Sequence, residues 1–218
     1  MALYGKLEVV DDVAAAFHDL VVVREPASIA LSGGDTARVC YERLVAAPVG
    51  WERVEFFMSD ERWVPVSDPA SNEGMARIAL LDHIHPAAIH SMYRSDETIE
   101  DAAADYDALV RAHPPIELLH LGLGPDGHTA SLFPGTAALD VRDRYVVPNG
   151  DDLHPYPRLT FTYPAISRSP LVVFTVAGVD KRDALAAVAT GKDVPAARVR
   201  ANEVLWLVDH EAASPGIG

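Results

Sequence analysis

Apolar and polar positions along this chain follow two rhythms. Asp11–Val23 spaces its apolar side chains helically behind two acids, which predicts an amphipathic helix with Asp11 or Asp12 at its N-cap. Ser28–Leu31 is a short apolar run that predicts a strand running into Ser32-Gly33-Gly34. A helix is then expected over Asp35–Ala46, stopped near Pro48, and a strand over Val54–Met58, followed by the polar stretch Ser59-Asp60-Glu61-Arg62. Helices are expected over Ser71–His83 and Asp96–His113, and strands over Ile116–Leu121, Arg158–Thr162 and Leu171–Val176. A helix over Asp180–Ala189 and a strand over Val204–Val208 complete the series. The unbroken apolar run of Leu171–Val176 fits a strand buried on both faces.

Strands separated by helices imply βα units, a mainly parallel sheet and helices on both of its faces. No internal repeat or low-complexity linker divides the chain, so a single domain over residues 1–218 is expected. Pro148–Pro157, rich in Pro, Asp and Gly, reads as a long loop within it. Ligands of such sheets collect at the carboxyl ends of strands. Here polar or glycine-rich segments follow three of them, after Leu31, Met58 and Leu121, which suggests one composite site.

Composition narrows the function. Eighteen basic against 32 acidic residues give a net charge of −14, which argues against a generic binder of nucleic acid or anionic membrane. A small anionic substrate stays compatible, because a few convergent cations can dominate one pocket. Cys40, the only cysteine, lies in an apolar helical pattern and reads as a small buried filler, so neither a disulfide framework nor a cysteine metal site is expected. The N-terminal residues lack the apolar core of a signal peptide, and no run reaches the ~20 apolar residues of a membrane span, so a reducing cytoplasm is the expected location. The oligomeric state is left open, with a monomer compatible.

Four segments carry candidate chemistry. In Ser32-Gly33-Gly34-Asp35-Thr36, two glycines between strand and helix expose N–H groups at the positive end of a helix dipole, a cradle for phosphate to which Thr36 can add its hydroxyl. A tight turn capped by Asp35 or Thr36 is the competing reading, and Asp35 is not expected to contact an anion. In the second segment, Asp60 and Arg62 can position a sugar, with Arg62 offering its fork of donors to a carbonyl or carboxylate oxygen; Glu61 reads as solvated. The third, Gly122-Leu-Gly124-Pro-Asp126-Gly127-His128-Thr-Ala-Ser131, holds a literal Gly-x-Gly-x-x-Gly. Its late position, its internal proline and the following histidine argue against dinucleotide binding. A histidine on a glycine-rich turn, two residues after Asp126, suits acid–base chemistry. The other eight histidines read as structural or solvated: His120 as packed on its strand, His154 as lacking a supporting constellation, and the His83, His85 and His90 group as lacking metal-ligand spacing. Fourth, Arg158 and Lys181 flank buried strands. Solvation is the simpler reading of each, although a cation at a helix start, as at Lys181, is favoured by a bound anion.

Taken in order, Ser32-Gly33-Gly34, Asp60-Glu61-Arg62, Ser71-Asn72, Gly124–Gly135, Arg158-Leu-Thr160 and Gly178-Val-Asp-Lys181 resemble the 6-phosphogluconolactonase family, a branch of the glucosamine-6-phosphate isomerase/6-phosphogluconolactonase group, over about residues 10–208. The resemblance implies a three-layer α/β/α sandwich with a modified doubly wound sheet. It also implies hydrolysis of 6-phospho-D-glucono-1,5-lactone to 6-phosphogluconate in the oxidative pentose phosphate pathway, without metal or organic cofactor. His128 would be the general base that activates water. Gly33, Gly34, Thr36, Arg158 and Lys181 would hold the phosphate, and Asp60, Arg62 and Asp126 would line the sugar end. The family often has Ser-Thr-Pro after the two glycines, where this chain has Asp35-Thr36-Ala37. Two alternatives stand beside this reading. One is a related deaminase of glucosamine 6-phosphate, disfavoured because Leu132-Phe133-Pro134 stands where deaminases carry a glutamate. The other is a non-catalytic sugar-phosphate sensor, which would normally carry a DNA-binding segment.

Overall fold

The computed structural model describes residues 3–213. In chain order the elements are β1 (Lys6–Val10), α1 (Val13–Arg24), β2 (Ser28–Leu31), α2 (Asp35–Leu44), β3 (Glu55–Met58), β4 (Asp60–Arg62), α3 (Asn72–Ala79) and β5 (Ala88–His90). They continue with α4 (Ile99–Ala112), β6 (Leu118–Leu121), β7 (Val146–Asn149), β8 (Arg158–Phe161), α5 (Tyr163–Arg168), β9 (Leu171–Val176), α6 (Arg182–Ala189) and β10 (Glu203–Asp209). Caps set the helix starts. Asp12 accepts from the Ala15 N–H before α1, Ser71 from Gly74 before α3, and Thr98 from Asp101 before α4, each satisfying a donor the helix leaves open.

Seven strands form one parallel sheet in the order β1-β10-β9-β6-β2-β3-β5. Helices flank it, with α1 packed on α2 and α2 on α3, giving a three-layer α/β/α arrangement. Its central strands are buried at every position, as β2, β6 and β9 show. Phe174 of β9 and Trp206 of β10 stack with ring centroids 3.7 Å apart, both at most 1% exposed. From β2 the chain builds outward through β3 and β5, then returns to lay β6 on β2's other side. The strand order reverses between β2 and β6, and a crevice opens at the carboxyl ends of those two strands.

A second, antiparallel sheet in the order β4-β8-β7 faces that crevice. Ser59 joins the two sheets: its N–H donates to Leu31 O at 2.7 Å, and its carbonyl accepts from Phe161 at 2.8 Å. The polar stretch after β3 is therefore not a loop: its Asp60–Arg62 is half of a strand ladder, in which Asp60 faces Thr160, Glu61 faces Leu159 and Arg62 faces Arg158. Side chains alternate along a strand, so Asp60 and Arg62 share one face and Glu61 takes the other. The structure adds β1, β5, β7 and α5 to the expected elements, and it ends the predicted Ser71–His83 helix at Ala79.

The stacked pair supplies a stability test. Phe174→Ala removes a buried ring from the middle of the sheet, and a cavity of that kind typically costs ~3–5 kcal/mol. The expected outcome is a lower midpoint in urea unfolding with the transition still cooperative; an unchanged midpoint contradicts the packing described.

Candidate active site at the strand switch

The crevice between β2 and β6 is a cleft of about 190 Å³. Ser32, Gly33 and Gly34 form one wall, Gly122–Pro125 and His128 another, and Asp60, Arg62, Asn72, Arg158 and Lys181 close it. Eight of the nine residues singled out from the sequence meet here or touch a residue that does; Asp126 does so through its bond to His128. Thr36 is the exception. It lines a separate acidic depression with Asp11, Asp12, Asp35 and Asp209, so its hydroxyl is not part of this cleft.

The glycine loop is fixed from below. Tyr41 of α2, fully buried, accepts the Ser32 N–H at 2.8 Å and donates to Ser32 O at 3.1 Å. Its oxygen also meets His120 Nδ1, while His120 Nε2 meets the Thr175 hydroxyl, both at 2.8 Å. Every partner is satisfied when His120 carries its proton on Nδ1, and burial keeps this imidazole neutral by pushing its pKa down to about 3. Gly34 at the N-cap of α2 has φ +100°, a conformation suited to glycine. Gly33 is needed for closeness: a Cβ there would lie 2.0 Å from Asn72 Oδ1.

The opposite wall is a tight turn. Gly124 N–H donates to His128 O at 2.9 Å, and Gly127, at φ +83°, donates to Gly124 O at 3.0 Å. His128 Nδ1 lies 2.5 Å from Asp126 Oδ1, which also accepts the His128 backbone N–H at 3.1 Å. This fixes the proton on Nδ1 and leaves the Nε2 lone pair available. Burial pushes the imidazole below its ordinary value near 6.5, and the Asp126 carboxylate works against that shift. Partial burial raises Asp126 but is outweighed by the imidazole and its N–H bonds, which hold the carboxyl below its usual value. The Phe133 ring, fully buried, meets the imidazole edge-on at 5.0 Å.

The remaining wall is cationic. Arg62 and Arg158 are directly paired across β4 and β8, where like charges ordinarily repel. Among the described residues neither has a carboxylate partner within ion-pair distance. Arg62 donates to Ala70 O, and Arg158 to Pro155 O and weakly to Ser131 Oγ. Arg62 Nε, Arg158 Nε and Asn72 Oδ1 are buried with no hydrogen-bond partner. Burial, then the positive charge of Arg62, lowers the Arg158 pKa. Arg158 is therefore buried at the cleft, not solvated as its sequence context suggested. Lys181 sits just before α6, paired with Asp180 at 3.1 Å. Asp60 is oriented by the Ser131 hydroxyl at 2.6 Å.

Two further sequence readings are corrected. Glu61 is 1% exposed, not solvated: it accepts from Arg62 N–H, Asn72 N–H, Glu73 N–H and the Ser71 hydroxyl at 2.7–2.9 Å. Burial pushes its carboxyl up to about 7 even against these four donors. His154, read as unsupported, folds back over the cleft mouth. It stacks on Phe133 at 4.0 Å and meets the His128 ring edge-on at 5.1 Å. No local sequence signal marks that return. Cys40 and His120 are packed as expected.

The glucosamine-6-phosphate isomerases/6-phosphogluconolactonase family matches residues 6–206 of this chain. A 6-phosphogluconolactonase from Synechocystis sp. is 40% identical over 207 residues, covering 88% of this chain and 85% of that protein. A crystal structure of 6-phosphogluconolactonase from Thermotoga maritima superposes with a TM-score of 0.80 at 28% identity, covering 93% of this chain and 98% of that one. A monomeric glucosamine-6-phosphate deaminase superposes equally well, at a TM-score of 0.81, 19% identity and 95% and 98% coverage; that likeness is one of fold alone.

The cleft geometry makes Gly124 a test of the dyad. A Cβ at this position would lie 2.1 Å from His128 Nδ1 and Cε1. Gly124→Ala should keep cooperative unfolding but displace the ring. The low-field imidazole N–H proton of the Asp126–His128 bond, sought by proton NMR in the wild type, should vanish; its persistence contradicts the placement of the ring.

Proposed function

The chain belongs to the glucosamine-6-phosphate isomerase/6-phosphogluconolactonase family, and we propose that it hydrolyses 6-phospho-D-glucono-1,5-lactone to 6-phosphogluconate with His128 as general base. The observation that carries this reading is the pairing of a neutral-biased, carboxylate-oriented imidazole with two guanidinium groups, Arg158 buried and Arg62 half-buried, that lack carboxylate partners. A phosphorylated ester needs both: a base to activate water and fixed positive charge for the phosphate and the developing oxyanion.

In this reading the phosphate lies against the Gly33-Gly34 backbone at the start of α2, countered by Arg158 and Lys181. His128 Nε2 takes a proton from water, which attacks the lactone carbonyl carbon. Arg62 donates to the tetrahedral oxyanion. The ring oxygen leaves and takes the proton back from the imidazolium, so the base is regenerated and the net reaction is addition of one water across the ester bond. Asp126 holds the imidazole on the correct tautomer throughout and stabilises its charged form. Asp60, held by Ser131, faces the sugar hydroxyls. The site belongs to one domain spanning 1–218, and a phosphorylated sugar lactone is its small-molecule partner. No helix among the described residues is long and apolar enough to cross a membrane. A metabolic enzyme of the cytoplasm fits these features.

Phe133 favours this chemistry over deamination. Opening an amino sugar and moving a proton between C1 and C2 takes several titratable groups around the ring, whereas an apolar ring packs against His128 here. The deciding experiment supplies fresh lactone to the purified protein and subtracts the spontaneous rate. Hydrolysis well above that rate is expected, with a loss of ~10²–10⁴ in kcat for His128→Ala and no ammonia from glucosamine 6-phosphate. Near-normal turnover by the variant defeats the base assignment, and steady ammonia release defeats the lactonase reading.

The pH profile adds an independent check. Activity requires neutral His128, so kcat/KM should fall on the acid side with a midpoint below the ordinary imidazole value near 6.5, because burial lowers the pKa. Removing the carboxylate removes the influence that raises it. Asp126→Asn should therefore move the acid limb to still lower pH while the plateau drops through loss of ring orientation. A limb that moves to higher pH contradicts the dyad.

A further inference from the structure

Two consecutive glycines leave the turn after β2 with little conformational restraint of its own. The restraint comes from beneath. Thr175 of β9, His120 of β6 and Tyr41 of α2 are each at most 2% exposed, yet they form a hydrogen-bond chain through the apolar layer under the cleft. His120 stacks on Phe17 of α1 at 4.3 Å and meets the Tyr41 ring edge-on at 5.4 Å, which fixes its plane. Replacing both partners of a buried hydrogen bond by apolar groups of the same shape costs little stability. Packing alone therefore does not call for three polar side chains here.

The chain has a direction. The Thr175 hydroxyl donates to His120 Nε2, and His120 Nδ1–H donates to the Tyr41 oxygen, both at 2.8 Å. That oxygen also accepts the Ser32 N–H at 2.8 Å, so its own hydrogen is left for Ser32 O, 3.1 Å away. The Ser32 carbonyl is thereby held toward the core. A peptide unit is planar and trans, so its C=O and the N–H of the next residue point opposite ways. Anchoring Ser32 O inward turns the Gly33 N–H outward, to the cleft that Gly33 lines. Among the described residues this N–H donates to no protein acceptor.

We propose that Tyr41 and His120 are positioning residues that aim the Gly33 N–H at the substrate phosphate, and that they thereby set the preference of the cleft for phosphorylated over unphosphorylated ligands. The proposal rests on the placement of the phosphate against Gly33-Gly34 in the hydrolytic reading. Neither side chain touches the substrate. His120 orients the Tyr41 hydroxyl, and the hydroxyl orients the Ser32–Gly33 peptide. Without that hydroxyl the peptide is free to rotate, and its N–H is lost to the phosphate for part of the time.

Binding is measured first, without turnover. Wild type, Tyr41→Phe and His120→Leu are titrated calorimetrically with 6-phosphogluconate, and with gluconate as the unphosphorylated control. Wild type should prefer 6-phosphogluconate. Tyr41→Phe should weaken its binding by ~10-fold, the equivalent of one hydrogen bond, and should affect gluconate far less. His120→Leu should act in the same direction and more weakly, because Tyr41 keeps its hydroxyl. The double variant should cost no more than Tyr41→Phe alone, since His120 acts only through that hydroxyl. Urea unfolding checks that each variant is folded, and His120→Leu carries the comparison where Tyr41→Phe is not. Folded variants that keep wild-type affinity for 6-phosphogluconate, that lose affinity for both ligands alike, or whose effects simply add overturn the proposal. So does a wild type that binds the two ligands equally. Turnover supplies a second readout. In Tyr41→Phe the KM for lactone should rise with kcat falling far less, and the acid limb set by His128 should keep its midpoint. A parallel loss in kcat or a displaced limb overturns the positioning role. Absence of hydrolysis by wild type counts against the lactonase reading alone, because the binding comparison stands without it.

Discussion

A carboxylate sealed from water is tolerable only when its lone pairs are filled, and Glu61 fills its own with four donors. Three of them, Ser71 Oγ and the N–H groups of Asn72 and Glu73, belong to the first turn of α3 and its cap, where the open donors and the positive end of the helix dipole lie. The fourth is the N–H of Arg62, so one side chain clamps β4 to the start of α3. Both neighbours of that clamp face the cleft. Arg62 extends from the clamped strand, and Asn72 from the clamped helix, where its Nδ2 donates to Asp60 O at 2.9 Å and its Oδ1 presses against Gly33. This side of the cleft thus takes its shape from a residue that does not line it.

The clamp also explains how two arginines can face each other in an acidic protein. A net charge of −14 acts diffusely through water, whereas the Arg62 and Arg158 charges act at short range in a partly dehydrated crevice. β4 and β8 set those two positions opposite one another, and the backbone ladder holds them there despite their mutual repulsion. Carbonyls of Ala70 and Pro155 take up part of the donor capacity of the two side chains. What remains unsatisfied points to an anion, which would relieve the repulsion and fill the unpaired donors together.

The sequence made legible those parts of the structure whose causes are local. Ser28–Leu31 and Leu171–Val176 carry the expected apolar runs and form β2 and β9 with those bounds, because strands buried on both faces have no polar interruptions. Edge strands β1 and β5 and the short β7 are half-buried and mixed in composition, so nothing in their own residues separates them from loops. Glu61 was misread for a related reason: three consecutive polar residues look solvated until a helix from further along the chain docks on the middle one. The placement of His154 depends on a loop reversal, and the burial of Arg158 on the pairing of β8 with β4, both non-local. The Asp126–His128 turn was legible because two residues of separation bring carboxylate to imidazole by geometry alone.

A shared fold does not by itself choose the reaction. A glucosamine-6-phosphate deaminase superposes on this chain as closely as a lactonase does, so the fold is common ground. Phe133 is fully buried, touches His128 edge-on, and lies beneath the stacked His154 with Arg158 over its ring at 5.6 Å. An aromatic ring in that place lowers the local dielectric without offering a proton. Burial lowers the His128 pKa and so favours its neutral form, and an apolar side chain in this place offers no proton relay of the kind a sugar isomerisation would need. In the proposed reaction, water activation needs only one base and a route for its proton to the leaving oxygen, and a single imidazole would supply both. The same apolar ring also carries the stacked His154, whose imidazole meets that of His128 edge-on at 5.1 Å.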